Sequence, residues 1–258
     1  MKDSLERINQ LIPIHRKVAG INPALQSLYP VVIVDKNQLY IHDYDSDRDC
    51  YLLIKIIPAP MPIPKGVRAA FQLADYDGRI VCVVTPEVFD SLDGYVTILH
   101  EFVHCYQYET CEQDLKLQLD IARQAQEQDD FMWEIQHPFP YQAKTFTRTY
   151  ARFLAAVSVG DAQDILKSRS ELRAFLGRHD FEYLVWQEWK EGFARWVENR
   201  LQQVLGIPEN KGGLEPPFSR TSFYAGGAAY IDYLSHQDPD FVRDLELLFS
   251  RMGDSIHT

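Results

Sequence analysis

Residues 91–108 read SLDGYVTILHEFVHCYQY, the strongest pattern in the chain. Its apolar side chains recur at helical spacing and predict an amphipathic helix with a buried stripe of Leu92, Tyr95, Val96, Leu99, Phe102, Val103 and Tyr106. His100 and His104 lie on the other stripe, four residues apart, so their imidazole groups project from one face. Two imidazole groups placed in this way can converge on one metal ion.

Zinc is the ion that this HExxH pattern favours, because two imidazole nitrogens leave room for a third ligand and a water molecule. Glu101 lies beside the first histidine, where its carboxylate can reach that water rather than the metal and act as a general base. The competing interpretation is a surface helix that carries two histidines by chance. The amphipathic pattern, directly after a β-rich segment, favours the zinc site.

The third ligand has to come from outside the motif. The three-histidine pattern HExxHxxGxxH requires glycine at 107 and histidine at 110, and the chain has Gln107 and Thr110 instead, which excludes that class. A glutamate on a later helix is the main alternative.

The segment VWQEWKEGFARWVENRL, residues 185–201, supplies such glutamates. Glu188, Glu191 and Glu198 fall close to one helical face of this segment, among tryptophans. A carboxylate in apolar surroundings carries a desolvation cost unless it meets a cation or hydrogen-bond donors. A zinc ion would meet that need.

The string Trp-Lys-Glu-Gly-Phe-Ala at 189–194 resembles a segment that follows HExxH in the gluzincin metallopeptidases, especially the aminopeptidase N-like, peptidase MA-like branch. The resemblance implies that Glu191 is the third zinc ligand and that Glu198 supports a zinc-bound histidine. Tyr-Ala-Gly-Gly at 224–227 resembles the family's later Tyr-x-x-Gly string, which implies that Tyr224 donates to the oxyanion of the tetrahedral intermediate. The glycine-rich exopeptidase string of that branch does not precede HExxH, so the resemblance does not extend to aminopeptidase activity.

The rest of the chain predicts an α+β fold. Five β-rich runs lie at 30–35, 38–44, 50–57, 67–74 and 79–85, and Asp77-Gly78 predicts a tight hairpin between the last two. A helical period follows, with helices expected at roughly 91–108, 111–128, 141–158, 161–177, 180–205, 221–236 and 238–251. We expect a β-rich part, 1–90, packed on a helical part, 91–258, that carries the metal site, and the resemblance makes this arrangement zincin-like.

The charge, the apolar runs and the cysteines of the chain narrow its possible binding partners and its location. The 258 residues carry a formal net charge of −11, which disfavours nucleic-acid binding. No apolar run at the N-terminus suits a signal peptide and none is long enough to span a membrane, so we expect a cytoplasmic protein. Four cysteines without a paired spacing do not indicate a disulfide framework, and Cys105 is interpreted as a buried free thiol.

These patterns predict a zinc metallopeptidase that hydrolyses the bonds of a peptide or protein substrate. One alternative is a catalytically inactive zincin-fold module that binds or regulates, although such a module needs neither Glu101 nor Tyr224. Another is a zinc hydrolase of non-peptide amides or esters, which the sequence does not separate from a peptidase. Arg195, one turn beyond Glu191, is expected to orient that carboxylate, to bind a substrate carboxylate or to form a packing ion pair.

Overall fold

The five β-rich runs form one mixed sheet in the order β3-β2-β1-β5-β4, in a computed structural model that describes residues 2–253. The strands are β1 Val31–Asp35, β2 Gln38–Asp45, β3 Cys50–Pro58, β4 Arg68–Leu73 and β5 Arg79–Val84. β1 and β5 are parallel, and the other neighbours are antiparallel. The sheet, followed by helices in the remainder of the chain, confirms the predicted α+β class.

The central strands bury both of their faces. Alternate side chains of β1 and β5, among them Val32 and Val83, join an apolar cluster against which Ile57, Ala59, Ile63, Val67 and Tyr76 pack. Cys82 points to the other face of β5, where Glu101 and Cys105 of the following helix act on its thiol. Burial, with these two groups adding to it, raises the pKa of Cys82 well above its usual value.

The hairpin between β4 and β5 exists, but the predicted tight turn is wrong. Leu73 pairs with Arg79, so five residues, 74–78, connect the strands. Asp77 and Gly78 adopt left-handed backbone conformations, as a turn there requires, but a 3-10 turn precedes them. The physical reason is Tyr76, which packs against the apolar cluster and donates its hydroxyl hydrogen to Asp43 at 2.6 Å.

Three helices belong with the sheet in the first of two compact units, Met1–Thr110 with Val197–Glu209. They are α1 Lys2–Asn9, α2 Leu11–Val18 and α3 Leu92–Gln107. Ser91 caps the N-terminus of α3, where its hydroxyl oxygen accepts a hydrogen bond from the backbone N–H of Gly94 at 3.1 Å. The observed bounds of α3 match the predicted helix closely, and α3 packs on β4 and β5.

The second unit comprises Cys111–Trp196 and Asn210–Thr258. Its helices are α4 Gln113–Gln118, α5 Asp120–Glu127, α6 Trp133–Gln136, α7 Lys144–Val159, α9 Arg220–Gln237 and α10 Leu245–Gly253, together with most of α8 Ala162–Leu205. The single helix predicted at 111–128 is wrong, because a π-helical turn opens it and Leu119 adopts an extended backbone that divides it. These two units are defined by which residues contact one another. The division predicted at residue 90 separates a β-rich part from a helical part, and it stays a prediction.

α8 is interrupted once, at Gly177, where φ of 69° and ψ of −171° are not helical. The two helices predicted at 161–177 and 180–205 therefore meet at this glycine. The part after the break, residues 178–205, carries Glu188, Glu191 and Glu198. Among residues 2–253, none of the helices combines the length and the apolar character needed to cross a membrane.

Candidate metal centre

His100 and His104 lie one turn apart on α3, with their ring centroids separated by 5.0 Å. Both side chains are buried, as is Glu101 between them in sequence. The helix is held by its serine cap and by its packing on the sheet, so the two rings project from a fixed backbone. The predicted one-face arrangement of the two histidines is therefore present.

Each imidazole ring is oriented by a hydrogen bond from its Nδ1 atom. Nδ1 of His100 lies 2.7 Å from Oε2 of Glu198, and Nδ1 of His104 lies 2.8 Å from Oε1 of Gln107. A carboxylate or amide oxygen can only accept, so both Nδ1 atoms carry the hydrogen. This assignment leaves the Nε2 lone pair of each ring for a metal, as in many metal-binding histidines.

Glu191 projects from the part of α8 after Gly177, and its side chain is largely buried. Its position depends on a close contact between α8 and α9. A Cβ atom on Gly192 would lie 2.6 Å from Cα of Gly227, and one on Gly227 would collide with the carbonyl oxygen of Glu188. Glycine is thus required on both helices where they approach, directly beside Glu191 and within the Tyr-Ala-Gly-Gly string.

The ligand atoms of His100, His104 and Glu191 all lie within 4.8 Å of one another. Two imidazole nitrogens and one carboxylate oxygen at this spacing fit a divalent metal ion. The hydrogen bonds at both Nδ1 atoms support the same conclusion, because they present the Nε2 atoms as ligands. These are the three residues that the sequence and the resemblance indicated as metal ligands.

Tyr224 lies in the first turns of α9, and its ring is flanked by two guanidinium groups. The Cζ atom of Arg220 is 5.2 Å from the ring centroid, and that of Arg195 is 5.8 Å away. Arg220 also contacts Glu191, with 3.5 Å between Nη1 and Oε1. Tyr224 therefore shares Arg220 with Glu191, while its role as an oxyanion donor stays a prediction.

Glu188, the remaining glutamate of the tryptophan-rich segment, is stabilised without a metal. It is fully buried, forms an ion pair with the buried Arg169, and accepts the hydroxyl hydrogen of Tyr150 at 3.0 Å. Arg169 also donates to the carbonyl oxygen of Met252 at 2.8 Å. The desolvation cost expected for a carboxylate in this segment is here reduced by Arg169 and Tyr150, although burial outweighs them and raises the pKa of Glu188.

Sequence reasoning did not assign two residues to the site. Gln107 was used only to exclude the three-histidine class, yet it is fully buried and accepts from His104. Its spacing of three from His104 on one helix was the signal that could have identified it. Arg220 gave no such signal, because its partner Glu191 lies on another helix.

We compared the chain with protein-family models, with curated proteins and with solved structures, and none of the three comparisons gives a match.

Proposed function

We propose that the chain is a zinc-dependent hydrolase of metallopeptidase type with a zincin-like fold. The observation that carries the proposal is the clustering of His100, His104 and Glu191 within 4.8 Å. Catalytic zinc sites commonly use three protein ligands of these types and keep one position open. The burial of both histidines favours a site that excludes bulk water.

A bound zinc ion supplies a Lewis acid and lowers the pKa of water toward neutrality. In this proposal Glu101 takes the proton of the attacking water and passes it to the leaving amine. Its carboxylate belongs to the same buried stretch of α3 as the two histidines. Its position next to a ligand in sequence supports a role on the water rather than on the ion.

Tyr224 completes the proposed reaction by donating its hydroxyl hydrogen to the oxyanion that forms on the substrate. Support comes from the two guanidinium groups of Arg195 and Arg220 at its ring. Positive charge fixed beside a developing negative charge stabilises the transition state without reorganisation. Removing one donor of this kind costs about 10²–10³ in kcat in other enzymes.

Metal content and turnover test the proposal together. Zinc would be quantified by mass spectrometry after purification without a metal-affinity tag, and turnover would be followed on a library of internally quenched peptides. We expect about one zinc ion per wild-type chain. Glu191→Ala should lose zinc, whereas Glu101→Gln should keep zinc and lose about 10²–10⁴ in turnover. Glu127→Gln, an exposed change on α5, is the matched control.

The alternatives give different results in the same experiment. A wild-type chain that retains zinc but hydrolyses neither peptides nor simple amides and esters would be a binding module. Turnover of esters or non-peptide amides alone would indicate a zinc hydrolase that does not act on peptides. A carefully prepared wild-type chain that binds no zinc would refute the metal site.

A further inference from the structure

Arg220 stands in an unusual position for a residue beside a metal ligand. Its Nη1 atom lies 3.5 Å from Oε1 of Glu191, the carboxylate assigned to the metal. A fixed positive charge at this distance repels a divalent cation and lowers the affinity of the three ligands for it. An anion bound to the opposite side of the guanidinium group would remove that penalty.

Arg220 is held so that one edge of its guanidinium group is available. Among the residues that the structure describes, its two polar contacts, with Glu191 and with Oε1 of Gln187 at 3.4 Å, both use Nη1. Gln187 is buried, and it donates in turn to the carbonyl oxygen of Glu134 at 2.9 Å. Nε and Nη2 remain to form the parallel pair of hydrogen bonds that a carboxylate accepts. The Arg220 side chain is 31% exposed, so a ligand can reach it from solvent.

A second donor lies near Arg220. The hydroxyl oxygen of Tyr141 is buried and has no partner of good hydrogen-bond geometry in the described part of the chain. The neighbouring Tyr183 donates its own hydroxyl hydrogen to the carbonyl oxygen of Glu134 at 3.2 Å, and its oxygen can accept from Tyr141 only in a poorly aligned hydrogen bond. Burial, with Tyr183 adding to it, raises the pKa of Tyr141, and Arg220 is close enough to act against that rise. A buried hydroxyl with only a poorly aligned acceptor is costly, and a bound anion would give it a well-aligned one.

The N-terminus of α9 adds to the positive electrostatic potential at Arg220. This helix of 18 residues begins at Arg220, behind the Ser219 capping box. The N-terminal end of a helix carries partial positive charge and favours anions. It acts here together with the guanidinium group of Arg220 and the hydroxyl of Tyr141, not alone.

We propose that Arg220 and Tyr141 form a subsite that binds a carboxylate group of the substrate. The inference rests on the proposed zinc hydrolase and names its substrate class. A carboxylate on the outer edge of the guanidinium group would lie roughly 6–8 Å from Oε1 of Glu191, the reach of about two extended residues. The proposed substrate is a peptide whose free C-terminal carboxylate lies within about two residues of the cleaved bond.

A pair of probes tests the subsite without requiring turnover. Both are hydroxamate-headed dipeptides of one sequence, one ending in a free carboxylate and the other in a carboxamide. Titration calorimetry of the zinc-loaded full chain should show about tenfold or greater preference for the carboxylate, as expected for charge-assisted hydrogen bonds. The preference should largely disappear in Arg220→Gln and fall in Tyr141→Phe. Arg243→Gln, an exposed arginine of the same unit, is the control that should keep it.

Two further measurements guard against misfolding and separate the possible failures. Arg220→Lys keeps the charge but loses the planar edge, so it should fold and retain only part of the preference. Arg220→Gln should also bind zinc more tightly than wild type, because the repulsive charge is gone. Equal binding of the two probes by wild type, or a preference that survives Arg220→Gln, would overturn the subsite and leave the zinc hydrolase standing. A wild-type chain that binds neither zinc nor either probe would remove both proposals.

Discussion

Glu198 accepts a hydrogen bond from Nδ1 of His100 at 2.7 Å, although 98 positions separate the two residues. The contact joins α3 to the last turns of α8, and both side chains are buried. A carboxylate in this position fixes the orientation of the imidazole ring and increases its basicity as a ligand. Glu198 is therefore expected to act on the metal through His100.

Replacement of Glu198 should weaken zinc binding without abolishing it. Glu198→Gln keeps an acceptor but removes the charge, and Glu198→Ala removes both. We expect zinc affinity to fall by about 10- to 100-fold, with the larger loss for alanine. Competition with a chromophoric chelator measures the affinity, and Glu127→Gln serves as the control. An affinity unchanged in both variants would show that the contact does not support the ligand.

Gln107 offers a matched pair of changes at the second histidine. Gln107→Leu has a similar volume but no acceptor, so Nδ1 of His104 loses its hydrogen bond, and zinc affinity should fall by about tenfold. Gln107→Glu places a carboxylate there, as Glu198 does at His100, and should preserve or increase the affinity. Zinc titration of both variants checks the sign as well as the size of the effect. Equal losses in the two variants would indicate disturbed packing at this buried position instead.

Local patterns were sufficient to predict the elements that position the site. The strands and α3 follow from side-chain periods of two and 3.6 residues, and the break in α8 follows from Gly177. The two histidines share a face because of helix geometry alone. Resemblance, rather than periodicity, selected Glu191 from the three glutamates in its segment.

The same patterns did not predict contacts between residues that lie far apart in the sequence. The ion pair of Glu188 with Arg169 depends on how the two parts of α8 are arranged about Gly177. The contact of Arg220 with Glu191 depends on which faces of α8 and α9 meet, and no period in the sequence encodes either arrangement. The glycines of the two motif strings were interpreted as family signatures. Their physical function is the close approach of α8 and α9.

The close contact between α8 and α9 gives a third prediction. In Gly227→Ala the new methyl group collides with the backbone carbonyl of Glu188, which has no flexible side chain to move aside. We expect a loss of about 1–3 kcal/mol in the free energy of unfolding, measured in urea. Gly20→Ala, where nothing lies within 4 Å of the added Cβ, is the control and should change stability little. A variant at 227 as stable as wild type would mean that the helices can separate without cost.

The last prediction concerns a network of charges around Glu134 on α6. Its carboxylate accepts from Nζ of Lys116 at 2.7 Å, from Nζ of Lys190 at 2.8 Å and from the indole N–H of Trp186 at 3.1 Å. Glu112 contacts the same two lysines at 2.8 and 2.9 Å. Burial alone raises the pKa of Glu134, but the two lysines outweigh it and hold the pKa well below its usual range. Glu134 is therefore ionised in the folded chain at pH values where a free glutamate is protonated.

The sign of the pH dependence follows from this lowered pKa. A carboxylate with a depressed folded-state pKa contributes stability above its unfolded value, about 4.3, and loses it as the pH falls toward the folded value. Glu134→Gln leaves the two lysines with a single carboxylate, and at neutral pH it should cost about 2–4 kcal/mol. The difference from wild type should be full above about pH 5 and shrink steadily below about pH 4. Urea unfolding across this range, with Glu127→Gln as the exposed control, measures it. A difference that stayed constant or grew in acid would show that the network does not hold Glu134 ionised.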